Sequence, residues 1–277
     1  MTKTNNMVPR LAMINSFAGF GRCSTTVSLP VISAMGVQVC PVPTSVLSNH
    51  LAYPKYSFLD FTPHMSEYLK VWKELDFTFD GLYCGFLGNA DQIRTVEEFL
   101  DTFAPNFFLL DPVMGDNGHT YSSVTEEHVA AMRKLLRMAT LITPNLTEAC
   151  LLTDTPYHED FYSDAELAAL CAKLAVLCPG NIVITGIPGE ASVKNIIWQK
   201  GTYTTLETPL AGGSHHGTGD IFASILAADS LFGRDLVSSV KKAADFISTC
   251  IAGSEEAGVP EKEGVLFEKY LHYLITP

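Results

Sequence analysis

The chain has 277 residues and a net charge of −12, with 17% of residues charged and 47% hydrophobic. That balance excludes a disordered chain and argues against a nucleic-acid-coating protein, whose affinity rests on positive charge. No apolar run reaches the roughly 18 residues of a membrane helix. The N-terminal MTKTNNMVPR lacks the apolar stretch of a secretory signal, so a cytoplasmic location without membrane contact is expected.

In chain order, Arg10 to Ile14 reads as a strand and Val37 to Cys40 as another. Val96, Phe99, Leu100 and Phe103 share one helical face. Phe107 to Leu110 is a continuous apolar run, as expected of a strand covered on both faces. Thr125, ahead of Glu127 and His128, starts a helix whose apolar face is Val129, Met132, Leu136 and Ala139. Leu141 to Thr143 is a strand. Ser163 to Glu166 resembles a capping box before a helix carrying Leu167, Leu170, Cys171, Leu174 and Leu177. Ile182 to Thr185 is the last core strand, and Ile196 to Thr205 reads as a hairpin turning near Lys200-Gly201. The chain is then helical from about Asp220 to Ala252 and again near its end. Strands alternating with helices predict an α/β fold: a mostly parallel central sheet flanked by helices on both faces. With no repeat or linker, residues 1–277 read as one domain.

Seven cysteines, an odd number, with no CxxC pair argue against a disulfide framework or a zinc knuckle. Buried thiols are expected instead.

Ligands of open α/β sheets bind at the carboxyl ends of strands. Three segments put polar groups there. Asp111-Pro112 closes the Phe107 strand, where the carboxylate could meet a metal or serve only as a turn. Asp116-Asn117-Gly118 then reads as a loop. Asn145 and Glu148 follow the Leu141 strand. A capping box and a Mg²⁺ contact through water both account for Glu148. Gly217-Thr218-Gly219-Asp220 runs straight into an apolar helix. Glycines expose successive N–H groups, and the helix dipole adds positive potential, so a phosphoryl group would be stabilised there. Asp220 beside it could take a proton from an attacking hydroxyl; an ordinary glycine turn is the plainer alternative. Neither GxxxxGK[ST] nor GxGxxG is present. His215-His216 could bind metal, but adjacent side chains diverge, which favours loop packing.

DPVMGDNG at 111–118, TPNLTEA at 143–149 and GTGDIFAS at 217–224, in this order, resemble the ribokinase superfamily. PTSVLSNH at 43–50 is similar to the pyridoxal kinase family, the vitamin B6 kinases. The resemblance implies a ribokinase-like kinase domain, a homodimer, and ATP-dependent phosphorylation of the 5′-hydroxymethyl group of pyridoxal, pyridoxine and pyridoxamine. By motif position, Asp220 matches the catalytic base and Gly217, Thr218 and Gly219 the anion hole. Glu148 and Asp111 match the Mg²⁺ and ATP–metal acids, and Tyr121 falls near the loop over the phosphates. Ser16 and Thr44 match contacts to the pyridine ring, and Thr143 and Thr185 match positions lining the nucleotide. ATP and Mg²⁺ are implied, with a K⁺ requirement left open. Hydroxymethylpyrimidine kinase, on the same fold, is the alternative.

Overall fold

The computed structural model describes residues 8–275. The first half of the chain runs β1 (Arg10–Phe20), α1 (Thr25–Ala34), β2 (Gln38–Asn49), β3 (Phe58–Asp60), α2 (Thr62–Glu74), β4 (Gly81–Cys84), α3 (Ala90–Phe103) and β5 (Phe107–Leu110). A small hairpin of β6 (Gly115–Asp116) and β7 (His119–Thr120) leads to α4 (Glu126–Leu135). Then come β8 (Leu141–Ile142), α5 (Leu146–Leu152), α6 (Asp164–Leu177), β9 (Asn181–Pro188), β10 (Ser192–Gln199) and β11 (Thr202–Pro209). The last helices are α7 (Thr218–Leu231) and α8 (Leu236–Glu256), followed by two short 3-10 turns.

The central sheet has the order β11-β10-β9-β8-β5-β4-β1-β2-β3. From β9 to β2 every neighbouring pair is parallel; β3, β10 and β11 join antiparallel. Alternation along the strands feeds two separate cores. Ala12, Ile14, Leu82, Cys84, Phe108 and Leu110 face one. Leu11, Met13, Tyr83 and Leu109 face the other, against α1, α7 and α8. Burial on both faces is why these strands read as unbroken apolar runs.

The α/β expectation holds, and several local signals act as read. Thr125 caps α4 by accepting from the His128 N–H. Ser163 and Glu166 form the capping box of α6. Lys200 and Gly201, both at positive φ, turn the β10–β11 hairpin in two residues. All seven cysteines are free, and five of them are buried.

Two readings need correction. The expected helix from Asp220 to Ala252 is broken: Gly233 at φ 66° ends α7, and Asp235 caps α8 by accepting from Ser238 N–H. The corner is pinned by buried Asp229, which pairs with Arg234 at 2.9 Å and Lys242 at 2.8 Å. Ala139 lies beyond α4, past a 3-10 turn, where its extended backbone leads into β8. The Asp116-Asn117-Gly118 loop is found as expected, as the tight turn of β6–β7 with Asn117 and Gly118 at positive φ. β4 is also absent from the sequence reading, since four residues show no period.

β1 and β2 run past the end of β4 and carry β3 on their outer edge. On this extension Phe17 pairs with Val46, and Val46 with Leu59, making an exposed apolar row. Among the described residues no helix is long and apolar enough to cross a membrane.

Under β4 and β5, Phe79, Phe99 and Phe103 pack ring against ring at centroid distances of 4.7 to 5.4 Å. Phe99 is fully buried at their centre. Phe99→Ala is expected to cost about 3–5 kcal/mol, read by equilibrium urea denaturation; a loss near zero would show that the cluster does not support the sheet.

Candidate active site

The direction of strand addition reverses between β1 and β4, so a crevice opens at their carboxyl ends. Asn15 bridges the two. Its Oδ1 accepts from Ser16 N–H at 2.8 Å and from Phe86 N–H at 3.0 Å. Those donors fix the amide, and its buried Nδ2 lies near the Asp220 carboxylate, outside hydrogen-bond distance of any partner. Ser16 is buried beside it and donates its hydroxyl to Ser24 Oγ at 2.8 Å. Thr44 is fully enclosed: its hydroxyl donates to the Phe86 carbonyl at 3.0 Å and its own carbonyl accepts from Gln92 Nε2. Thr44 therefore shapes the crevice wall from behind.

Opposite this wall, Gly217 turns the chain into α7 at φ 84°. No side chain caps α7, so its first-turn N–H groups face the crevice uncapped. The two glycines of the loop do different work. A Cβ at Gly217 would collide with the Arg22 carbonyl, whereas one at Gly219 would meet nothing within 4 Å. The clearance at Gly219 leaves room for a ligand to approach the backbone. Thr218 donates its hydroxyl to the His215 carbonyl at 3.3 Å, which tightens the turn.

Half-buried Asp220 accepts from Ser24 N–H at 2.7 Å. Burial raises its carboxyl to about 6, against the pull of the Ser24 N–H and of nearby Asn15. At neutral pH it is ionised, yet more basic than an ordinary aspartate.

Asp111 follows β5 and is buried near the same crevice. Burial, then Glu148, then Asp220 push its carboxyl well up; Thr143 opposes them. Glu148, also buried, does what its capping-box pattern demands: Oε2 accepts from Asn145 N–H at 2.9 Å, while Asn145 Oδ1 accepts from Glu148 N–H. Its Oε1 reaches across to Met114 N–H at 3.1 Å. Burial raises Glu148 despite these donors. Asn145 Nδ2 on the Gly115 carbonyl and Thr147 on Gly118 N–H complete the grip of α5 on the β6–β7 hairpin. Tyr121, leaving that hairpin, has its phenol raised by burial and by Glu148, Asp116, Asp220 and Asp111, so it sits among all four acids. Thr143 is buried at the end of β8, and Thr185 of β9 pairs through its backbone with Asn145, the cap of α5. The crevice thus gathers all the site residues expected from sequence, with Thr44 set behind its wall.

Two close buried carboxylates, Asp111 raised by Glu148 and Glu148 by burial and Asp116, suit a hard divalent cation that keeps several waters. Among the described residues no cluster of three acids, histidines or cysteines forms a closed metal cage. A metal arriving with nucleotide phosphates fits that donor set. His215 and His216 do not converge. His215 is buried against Glu255 at 3.3 Å, while the His216 ring lies 4.7 Å from His50.

The sequence profile of the phosphomethylpyrimidine kinase family matches residues 29–265. The chain belongs to that family. Among curated relatives, the hydroxymethylpyrimidine/phosphomethylpyrimidine kinase of Aquifex aeolicus is 28% identical over 258 residues, covering 90% of each chain. A crystal structure from Bacteroides thetaiotaomicron, provisionally assigned as a phosphomethylpyrimidine kinase, superposes with TM-score 0.95 at 37% identity over 100% of this chain and 97% of that one. A second crystal form of it, with pyridoxal, gives TM-score 0.92 over 98% and 96%. Pyridoxal kinase from Lactobacillus plantarum gives 0.90 at 25% identity over 97% of each chain. The fold is thus ribokinase-like, and the protein is an ATP-dependent kinase of the hydroxymethylpyrimidine/pyridoxal kinase type.

Sequence reasoning missed Asn15, Ser24 and the N–H of Met114. Their contribution comes through backbone groups or a buried amide, for which no motif exists. The glycine-flanked stretch Gly19 to Ser24 was the available signal for Ser24.

The raised Asp220 carboxyl has a cost in stability. Its penalty is absent below 3.8, grows as pH rises toward about 6, and is complete above that. Asp220→Asn, which keeps an acceptor for Ser24 N–H, is expected to stabilise the protein at pH 7.5 by at most about 3 kcal/mol, seen as a higher Tm, and to leave Tm unchanged at pH 3.5. Thermal melts across this range check it; equal melting at both pH values would remove the assignment.

Proposed function

We propose that the protein transfers the γ-phosphoryl group of ATP to the 5′-hydroxymethyl group of vitamin B6: pyridoxal, pyridoxine or pyridoxamine. The observation that carries this reading is Asp220, a half-buried carboxylate of raised basicity at the uncapped start of α7, facing the wall of Asn15 and Ser16. The PTSVLSNH segment at 43–50 and the pyridoxal in the Bacteroides thetaiotaomicron crystal form support the vitamer. The family profile and the Aquifex relative favour a second reading, hydroxymethylpyrimidine as acceptor. Both acceptors present a primary alcohol on a flat nitrogen heterocycle, so the same machinery serves either.

On this reading Ser16 lies on the side of the crevice that holds the ring, and Thr44 supports that side from behind. Asp220 takes the proton of the attacking hydroxyl. The N–H groups of Thr218, Gly219 and Asp220 hold the transferring phosphoryl oxygens, whose charge is spread in a loose transition state. Thr143 and Thr185 line the nucleotide, and Tyr121 stands over its phosphates. Asp111 and Glu148 would hold Mg²⁺, directly or through water, and the metal would supply neutralisation of phosphate charge. The exposed row of Phe17, Val46 and Leu59 supports the homodimer that the resemblance implies.

Purified protein with Mg·ATP and a panel of the three vitamers and hydroxymethylpyrimidine tests the proposal. Turnover of a vitamer is expected, with a rate that falls below pH about 6 as Asp220 is protonated. Asp220→Ala should abolish turnover while the fold survives. Turnover of hydroxymethylpyrimidine alone would select the second reading.

Gly219→Ala separates ligand space from packing space. Its stability should be unchanged or slightly raised, because alanine is the better helix former by about 1 kcal/mol, while phosphorylation falls at least tenfold. Full activity in this variant would show that no phosphoryl group approaches Gly219.

A further inference from the structure

Residues 259–268 cross the molecule beside the crevice, after α8, and hold two loops at once. This strap is rooted in the second core by Val265 and Phe267, both buried, and by Leu266 N–H donating to Ser254 Oγ at 2.8 Å. From that anchor it reaches the loop between β1 and α1. Arg22 N–H donates to the Glu263 carbonyl at 3.1 Å. The Arg22 guanidinium donates through Nη1 to the Glu263 and Gly264 carbonyls at 3.3 and 3.4 Å, and through Nε to Glu268 at 2.7 Å. The strap also reaches the phosphoryl-holding loop. His216 N–H donates to the Glu261 carbonyl at 3.4 Å, and Val265 N–H to the His216 carbonyl at 3.1 Å.

Arg22 lies where the strap and the two loops meet, between two glycines at positive φ. A Cβ on Gly264 would come within 2.6 Å of Arg22 Cβ. A Cβ on Gly217 would strike the Arg22 carbonyl. Behind it, His50 from the end of β2 packs on Gly21 and contacts the Lys262 carbonyl through Nε2. Two residues beyond Arg22 is Ser24, whose N–H holds Asp220. Arg22 itself touches neither Asp220 nor the crevice wall.

We infer that Arg22 is a positioning residue: gripped by the strap, it fixes the Ser24 N–H on the Asp220 carboxylate and seats Gly217 against its own carbonyl. The chemistry explains the residue type. A planar guanidinium presents several fixed donors, so one side chain reaches two carbonyls and a carboxylate together. A lysine at this place could not span them. The inference rests on the reading of Asp220 as the base, and it deepens that reading: base and phosphoryl-holding amides are set relative to one another through one residue outside the motifs.

The test uses the full chain and three variants: Arg22→Ala, Glu268→Gln, and Arg94→Ala as a surface control. Arg22→Ala is expected to lower kcat about tenfold or more, with KM for both substrates within about twofold, as for a group acting in the transition state only. Glu268→Gln should do the same more weakly, and serves if Arg22→Ala fails to fold. Amide hydrogen exchange at Ser24 should rise about tenfold in both, since the loop is released locally. A folded Arg22→Ala protein with wild-type kcat, or one with unchanged exchange at Ser24, would overturn the inference. So would a rise in KM that accounts for all the lost kcat/KM. If the wild-type protein phosphorylates no acceptor in the panel, the base assignment falls, while exchange at Ser24 still decides whether Arg22 clamps this loop.

Discussion

The burial of carboxylates is the constraint around which the carboxyl edge of this sheet is built. Asp111 is raised by burial and by both Glu148 and Asp220, and Tyr121 feels all of them. Removing such groups from water is expensive unless donors or cations compensate. The protein compensates mainly with backbone. Ser24 N–H serves Asp220, and the N–H groups of Asn145 and Met114 serve Glu148. That choice explains the local architecture. A backbone donor can be aimed only by fixing the loop that carries it, so α5 grips the β6–β7 hairpin and the strap grips the loop before α1. The remaining negative potential is what a metal–nucleotide complex would find attractive.

A chain of net charge −12 needs such an arrangement to hold an anionic nucleotide. Positive potential at the start of α7 comes from uncapped N–H groups and the helix dipole rather than from lysines. The different roles of Gly217 and Gly219 follow. One glycine is demanded by the fold, because Arg22 occupies the space its side chain would take. The other stands in open space and is intelligible only through a ligand.

The two-sided sheet, the capped helices and the β10–β11 hairpin were legible because each rests on a local pattern: an apolar run, a capping box, a Lys-Gly turn. The strand ends were legible too, since Asp111, Glu148 and Asp220 stand in recognisable motifs. What stayed hidden was of two kinds. β4 has four residues and no period, and the break at Gly233 interrupts a pattern that is apolar on both sides. The strap is the other kind. Arg22 and Glu263 are far apart in sequence, and most of their contact runs through carbonyl oxygens, which carry no residue signature. Glu148 shows the limit of weighing readings against each other: its capping box is present, and its carboxylate still belongs to the acid cluster.

The row of Phe17, Val46 and Leu59 crosses the extension of β1 and β2 and ends on the short edge strand β3. An apolar patch at a sheet edge is adhesive, whereas a net charge of −12 keeps copies apart. The two act over different ranges. Charge repulsion fades beyond about 8 Å at physiological ionic strength, while apolar contact needs touching surfaces and no field. Association through this face is therefore expected to respond to salt, opposed in dilute buffer and favoured in concentrated electrolyte.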